Sequence, residues 1–440
     1  MLRIVTQLSE AQTELQRICD RTHSDQISTK EATVRAVLDD VKRQGDTALL
    51  RYTEAFDGHS FRADELRVTH EELDSAYQRV SPELLRAIRA ACRNVEAFHR
   101  QRLPKSWVNF SGPEQDIVLG KRYTPVDAAG LYVPGGRASY PSTVVMNAVP
   151  AKVAQVERIV MVTPPGPDGG VNPAVLVAAQ EAGVQEIYRV GGAQAIAALA
   201  YGTETIPSVN VITGPGNIYV TLAKKAVFGT VGIDSLAGPS EVLVIADSDA
   251  KPGHVAADLL AQAEHDPMAA AILLTPDSAL ARQVVSEVQG QLTGHPRRTD
   301  TEKAIANYGL VVIVDSLETA ASLSNQFAPE HLQLEVSEPW ELLRQIRHAG
   351  AVFLGYSTPE AVGDYLAGPN HTLPTSGAAR YASALGVETF LKHSSLIQYS
   401  PEALNACAAD IDQLATAEGL PSHNNSVRLR VGKPPLSNPD

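Results

Sequence analysis

The segment Gln262-Ala263-Glu264-His265 sets an amide and an imidazole three residues apart, and Pro329-Glu330-His331, Gly363-Asp364-Tyr365 and Asn370-His371 supply groups of matching chemistry. On a helix of about 3.6 residues per turn, Gln262 and His265 fall on one face and both reach a single cation. Asp364 adds a carboxylate, and Glu330 with His331 adds a couple able to take and return protons. Hard donors beside a separate acid–base couple are the equipment of an enzyme rather than of a scaffold.

A lone histidine is usually a satisfied core residue, so grouping has to decide. His265, His331, His371 and His423 each sit beside a polar or acidic residue in a loop or at an element end, whereas His59, His295 and His348 have no such setting. Pro329 fixes the start of a turn and holds the Glu330-His331 pair in one direction. Glu418, just before Gly419 at the end of an expected helix, meets an unfavourable macrodipole. Either it is exposed at small cost or it serves a cation. Cys19, Cys92 and Cys407 fall in no motif, so an aldehyde-oxidising step would lack a thiol nucleophile and go through a hydrate.

The elements that must position these groups are legible as periodicities. Up to about Lys105, apolar residues recur at spacings of three and four, which predicts a helical layer. From about Ile117, short β-branched runs end in Gly or Pro: Gly130–Val133, Arg158–Thr163, Ile187–Val190, Val209–Thr213, Glu241–Ala246, Ala271–Thr275, Leu310–Val314 and Ala351–Leu354. Ala-rich helical stretches between them predict an α/β fold with two Rossmann-like parallel-sheet domains, ligands gathering beyond the carboxyl ends of strands. The expected division is a helical segment over 1–110, a first α/β domain over 111–240 on the cofactor side, and a second over 241–385 carrying the metal and the catalytic pair. A final segment, 386–440, holds a helix from about Pro401 to Glu418 and a Pro-rich tail from Lys433.

Glycine-rich turns fall at the expected strand ends: Val133-Pro134-Gly135-Gly136, Val190-Gly191-Gly192-Ala193-Gln194, Thr213-Gly214-Pro215-Gly216-Asn217 and Ala237-Gly238-Pro239-Ser240. The third begins like a dinucleotide fingerprint, but Tyr219 stands where its last glycine should be. If the turns share an edge, Tyr132, Gln194 and Asn217 contact a nucleotide by stacking and side-chain hydrogen bonds. Otherwise each turn is a tight strand–helix connection.

Composition narrows the class. The chain is 440 residues, long enough for more than one core, with 44% hydrophobic but only 5% aromatic residues, as helices packed closely on sheets require. A net charge of −13 argues against nucleic acid as the main partner. There is no long apolar run for a membrane and no secretion signal at the N-terminus, so a cytoplasmic location is expected. Three widely spaced cysteines do not make a disulfide framework.

The segments GLYVPGG, VGGAQAIAALAYGT, GPGN, AGPSEVLVIAD, QAEHDP, FAPEHLQLE, GDYLAGPNHTLPT and EGLPSH occur in order, and over roughly Val37 to Arg430 the chain resembles histidinol dehydrogenase. The resemblance implies a zinc enzyme that oxidises L-histidinol through L-histidinaldehyde to L-histidine, reducing two NAD in succession. Position by position it implies Gln262, His265, Asp364 and His423 as zinc ligands and Glu330 and His331 as the acid–base pair. It makes Ser240, His371 and Glu418 substrate contacts alongside His331 and the zinc ligands, and Tyr132, Gln194 and Asn217 NAD contacts. It also implies an intertwined homodimer whose C-terminal segment, with His423 and Glu418, serves the neighbour's active site. The alternatives are a paralogue acting on another amino alcohol or diol with the same zinc and NAD machinery, and a two-lobed binding protein without activity.

Overall fold

Successive side chains of a strand point to opposite faces, so a strand buried along its whole length must be covered on both sides. In Glu241–Ala246 every residue is buried. Val242, Val244 and Ala246 enter one apolar cluster, with Val255, Ala256 and Leu259, while Leu243 and Ile245 enter another, with Leu323 and Phe327. This strand is the middle of a sheet sandwiched between helices.

The computed structural model describes residues 2–22, 26–112, 114–135 and 140–436. Gly136 of the first glycine-rich turn and the last residues of the tail lie outside the described residues. In chain order the strands are β1 Arg3–Val5, β2 Trp107–Ser111, β3 Ile117–Pro125, β4 Ala128–Tyr132, β5 Arg158–Val162, β6 Glu186–Tyr188 and β7 Val211–Thr213. There follow β8 Gly232–Ile233, β9 Glu241–Ala246, β10 Ala270–Thr275, β11 Gly309–Ile313, β12 His331–Glu335, β13 Ala351–Leu354 and β14 Leu391–Tyr399.

Two compact units are distinguished. The larger takes Met1–Arg102 and Val126–Phe390, the smaller Leu103–Pro125 and Leu391–Asp440. The larger contains a five-stranded sheet in the order β6-β5-β4-β7-β8 and a six-stranded sheet in the order β1-β11-β10-β9-β12-β13. Every pairing in both is parallel. The fold is thus α/β with two Rossmann-like parallel sheets. The smaller unit holds a three-stranded antiparallel sheet, β14-β3-β2, and the helices Pro401–Ala417 and Pro421–Arg430.

Three features depart from expectation. Arg3–Val5, inside the stretch read as helical, pairs with β11 and extends the six-stranded sheet. The Glu330-His331 segment opens a strand rather than a turn: His331–Glu335 lies between β9 and β13. The antiparallel sheet had no counterpart among the strands read from the sequence.

Strand β12 explains why its polar residues were misleading. His331, Gln333 and Glu335 alternate onto the face that meets the helix Pro252–Ala263, where Gln333 Nε2 donates to Asp258 Oδ2 at 2.9 Å. Asp258 and Glu335 are neighbouring buried carboxyls, so a proton held by either one relieves the repulsion between them. Burial first, and the Asp258 charge second, push Glu335 up to about 8 from an ordinary 4.5. The folded protein therefore holds this proton more tightly than the unfolded chain. The pair's contribution to stability is full below about pH 4.5 and is lost as pH rises through about 8. The melting temperature should fall between about pH 5 and about pH 8, and a pH series of thermal melts should show a smaller fall for Glu335→Gln.

Candidate active site

Strands β9 and β12 run side by side, with Val242 opposite His331, so Glu241 and Glu330 meet at their amino ends. The backbone N–H of Glu241 donates to Glu330 Oε2 at 2.9 Å, and that of Glu330 donates to Glu241 Oε2 at 3.3 Å. Each carboxyl thus caps the other's strand. Glu241 Oε1 accepts from Arg21 Nη1 at 3.0 Å and from the Ser376 N–H at 3.1 Å, and the Arg21 side chain is only 1% exposed. Burial holds Glu241 above the ordinary carboxyl value, and Arg21 offsets part of that rise. Among the described residues no Lys or Arg pairs with Glu330; burial and the Glu241 charge hold it well above the ordinary carboxyl range, although the Ser240 hydroxyl hydrogen-bonds it.

The turn that delivers Glu330 is strained. The helix Leu317–Phe327 ends in Ala328 at φ +56°, a left-handed conformation that Ala adopts at some cost. Across from it, Gly350 donates to the Pro329 carbonyl at 2.9 Å, and a Cβ on Gly350 would stand 2.6 Å from the Glu330 carbonyl oxygen. Close backbone contact on one side and a forced turn on the other fix the direction of the pair.

His331 is buried, with Nδ1 3.0 Å from the Glu241 carbonyl and 3.7 Å from carboxyl oxygens of both Glu330 and Glu360. Surrounded by acceptors, Nδ1 carries the hydrogen and donates it to the carbonyl. Nε2 is left as a buried lone pair without a partner among the described residues. Burial lowers the ring to about 3, so it is neutral. His371 repeats the pattern: its Nδ1 donates to the Asp364 carbonyl at 3.1 Å, and burial lowers it to about 4.

The helix Pro252–Ala263 carries Gln262 in its last turn and stops before His265. The expected helical spacing survives as a tight turn, since the His265 N–H donates to the Gln262 carbonyl at 3.3 Å. His265, Glu330, His331, Asp364, His371 and Ser240 line one cavity of about 250 Å³. Gln262, fully buried, touches the same cavity's Glu360, and donor atoms of His331, Glu360 and Asp364 lie within 4.8 Å of one another. Burial raises Asp364 to about 6 and lowers His265. No cysteine is among the described residues that line the cavity.

Of the remaining expected residues, Glu418 and His423 belong to the smaller unit, where both are exposed: Glu418 caps the helix Pro401–Ala417 and His423 lies in the first turn of the next. Glu418 is thus the exposed carboxylate whose cost is small. Tyr132, Gln194 and Asn217 lie at the carboxyl edge of the five-stranded sheet or in the turns and first helical turns beyond it, yet each has structural work. The Tyr132 hydroxyl accepts from the Gly192 N–H at 3.2 Å, and its ring is only 4% exposed. In this structure the Tyr132 side chain is thus packed within the sheet edge rather than displayed on it. Gln194 is buried and donates to Asp57 at 3.2 Å, while Asn217 Oδ1 caps the helix Ile218–Val227. Gly214, at φ +108°, is required there: a Cβ would stand 2.1 Å from the Tyr132 carbonyl oxygen.

The carboxyl-end rule also holds for one sheet only. Pro215 and Gly216, after β7, line the cavity from a carboxyl end, but Ser240, Glu330 and His331 enter it from the amino ends of β9 and β12. Unpaired strand-initial N–H groups are donors, and buried carboxyls are satisfied there. Sequence reading missed Arg21, Glu241 and Glu360. Only Glu360 carried a signal, its spacing of four from Asp364.

The comparisons with known proteins decide the family. The histidinol dehydrogenase family model matches residues 20–431. The chain belongs to the histidinol dehydrogenase family. It is 74% identical over 431 residues to histidinol dehydrogenase 2 of Trichormus variabilis, covering 98% of this chain and 99% of that one. It is 71% identical over 430 residues to histidinol dehydrogenase of a Synechococcus species, with 98% and 99% covered. The crystal structure of histidinol dehydrogenase from Elizabethkingia anophelis superposes with a TM-score of 0.91 at 38% identity, with 98% of each chain covered. The family is one of NAD-dependent oxidoreductases, and no helix among the described residues is long and apolar enough to cross a membrane.

Removing Arg21 leaves the Glu241 charge buried and unpaired, so Arg21→Ala should destabilise the fold by about 3–5 kcal/mol. Chemical denaturation of the purified variant measures this.

Proposed function

We propose that this protein oxidises L-histidinol through L-histidinaldehyde to L-histidine, consuming two NAD⁺ and one water and releasing two NADH and three protons, in the cytoplasm. The observation that carries the reading is His331: its Nδ1 hydrogen is tied to the Glu241 carbonyl, and its buried Nε2 has no hydrogen-bond partner among the described residues. A neutral imidazole aimed in this way accepts a hydroxyl proton as hydride leaves the carbinol carbon for the nicotinamide.

The second oxidation needs water. Glu330 takes a proton from the water that attacks the aldehyde carbon, and His331 takes the hydrate's hydroxyl proton as the second hydride departs. The absence of a cysteine from the cavity lining agrees with a hydrate rather than a thioester route. Two groups driven in opposite directions by one environment, Glu330 upward and His331 downward, are suited to different proton transfers.

The donor set fits a divalent metal: amide and carboxylate oxygens with an imidazole nitrogen, all on elements that meet at one cavity, are ligands that zinc accepts. Gln262, His265 and Asp364 would hold it, with His423 supplied by a second copy of the chain; bound there, zinc supplies a Lewis acid that fixes and polarises the amino alcohol. Ser240, His371 and Glu418 would orient the substrate. NAD would lie along the carboxyl edge of the five-stranded sheet near Asn217, with Tyr132 and Gln194 bracing its turns from behind. The four-part division of the chain follows this use, the first sheet serving the cofactor and the second the metal and the catalytic pair.

A homodimer is supported by the smaller unit's surface. Trp107, Val108, Phe110 and Ile397 of its antiparallel sheet are each more than half exposed, and Leu414 and Leu429 stand out from its helices. So much apolar surface on so small a unit needs a partner.

The activity is tested by counting NADH per L-histidinol: two, abolished by a chelator and restored by zinc, is expected, and one or none would reject the four-electron reaction. His331→Asn should slow both oxidations by about a hundredfold or more, and Glu330→Gln should slow mainly that of the aldehyde. Supplying L-histidinaldehyde directly separates the two, and equal loss in both for Glu330→Gln would remove the division of labour. Mixed Glu330→Gln and His423→Ala subunits should regain activity that neither has alone; no recovery after confirmed subunit exchange would place His423 in its own chain's site.

A further inference from the structure

Glu360 takes no part in the chemistry above, yet it is only 3% exposed and stands at the centre of the site. It opens the short helix Glu360–Tyr365, and Asp364 follows one turn later on the same face. Its nearest polar neighbour is the Gln262 amide. With nitrogen turned toward these acceptors, that amide lies 3.1 and 3.2 Å from the two Glu360 carboxyl oxygens and 3.1 Å from the Glu241 carbonyl.

A glutamine side chain has two ends of similar shape and opposite chemistry, and only the carbonyl oxygen can ligate a cation. Nothing in the length or packing of the side chain selects between them. The surroundings of the buried end must do so. Behind Gln262 stand a carboxyl and a carbonyl, both acceptors; His331 Nδ1 is also 3.1 Å away, but its hydrogen is on the Glu241 carbonyl, so it offers the amide no lone pair. Turned the other way, the amide would set its oxygen against other oxygens and point its N–H groups toward the cation.

We propose that Glu360 is a positioning residue, which holds the Gln262 NH₂ so that the carbonyl oxygen is the end presented to the divalent metal. The inference rests on the reading of Gln262 as a metal ligand. It gives the helix Glu360–Tyr365 two tasks one turn apart: Asp364 offers a carboxylate directly, and Glu360 aims the amide from the neighbouring helix. The competing role is that Glu360 ligates the metal itself, since its carboxyl belongs to the group of donors lying within 4.8 Å of one another.

The test is zinc affinity, measured by competition with a chelator on the full-length protein, for wild type, Glu360→Gln, Gln262→Ala and the double variant. Glu360→Gln keeps the size of the side chain but loses an acceptor, and should weaken zinc about ten- to a hundredfold. In the Gln262→Ala background the same substitution should cost nothing further, because its effect passes through Gln262. The cobalt(II)-loaded Glu360→Gln protein should keep the absorption bands of the wild-type ligand set. Unchanged affinity in Glu360→Gln alongside a loss in Gln262→Ala would overturn the inference and leave Gln262 a ligand. A full additional loss in the double variant would make Glu360 a ligand and also overturn it. Unchanged affinity in Gln262→Ala would remove the underlying reading. Should melting of the metal-free protein show that Glu360→Gln does not fold, Glu360→Asp, which withdraws the carboxyl by one methylene, carries the same comparison.

Discussion

The site depends on the mutual capture of Glu241 and Glu330 at the amino ends of adjacent parallel strands. Two carboxyls brought this close out of water cannot both be ionised without compensation. Arg21 and the Ser376 N–H attend to one of them. That asymmetry separates two chemically equivalent side chains: Glu241 is paired with a guanidinium, and Glu330 lacks that pairing among the described residues. Glu241 also gives its carbonyl to His331, so one buried residue sets the position of Glu330 and the tautomer of His331.

This explains why the cavity departs from the usual geometry of open parallel sheets, where ligands meet carboxyl ends. Backbone N–H groups at the start of a strand have no ladder partner on one side, and in this sheet they are spent on carboxylates. A site that must bury several acidic side chains gains from opening toward those donors. The five-stranded sheet offers its carboxyl edge instead, with Asn217 capping a helix and Gly214 allowing close contact with Tyr132. The two sheets thus present different backbone chemistry, one suited to buried carboxyls and the other to glycine-rich turns.

Much of the frame was legible because it follows from local patterns. Glu241–Ala246 and Ala351–Leu354 end where the sequence says, since β-branched runs bounded by Gly or Ser need no distant information. The strand His331–Glu335 was hidden because three of its five residues are polar, and Gln333 finds its buried partner, Asp258, on another element. Arg21 and Glu241 are 220 residues apart, and neither stands in a pattern that names the other. The donors Gln262, His265 and Asp364 were legible as types, but the orientation of the Gln262 amide depends on Glu360, a contact only the folded chain provides.

The antiparallel sheet was missed for a related reason, and it bears on assembly. Alternating strands normally declare themselves by one apolar and one polar face, but β14 is exposed along nearly its whole length, with Ile397 72% exposed. Its register with β3 runs unbroken over nine pairs, from Leu391 opposite Pro125 to Tyr399 opposite Ile117, so the strand is well formed without being buried. Small sheets are marginal in water unless a face is covered. The apolar side chains that this sheet displays therefore act between copies of the chain on the proposed reading, and Glu418 and His423, exposed on the same unit, are where an exchanged segment would carry its polar groups. An isologous pair would use each such segment once and build two equivalent sites.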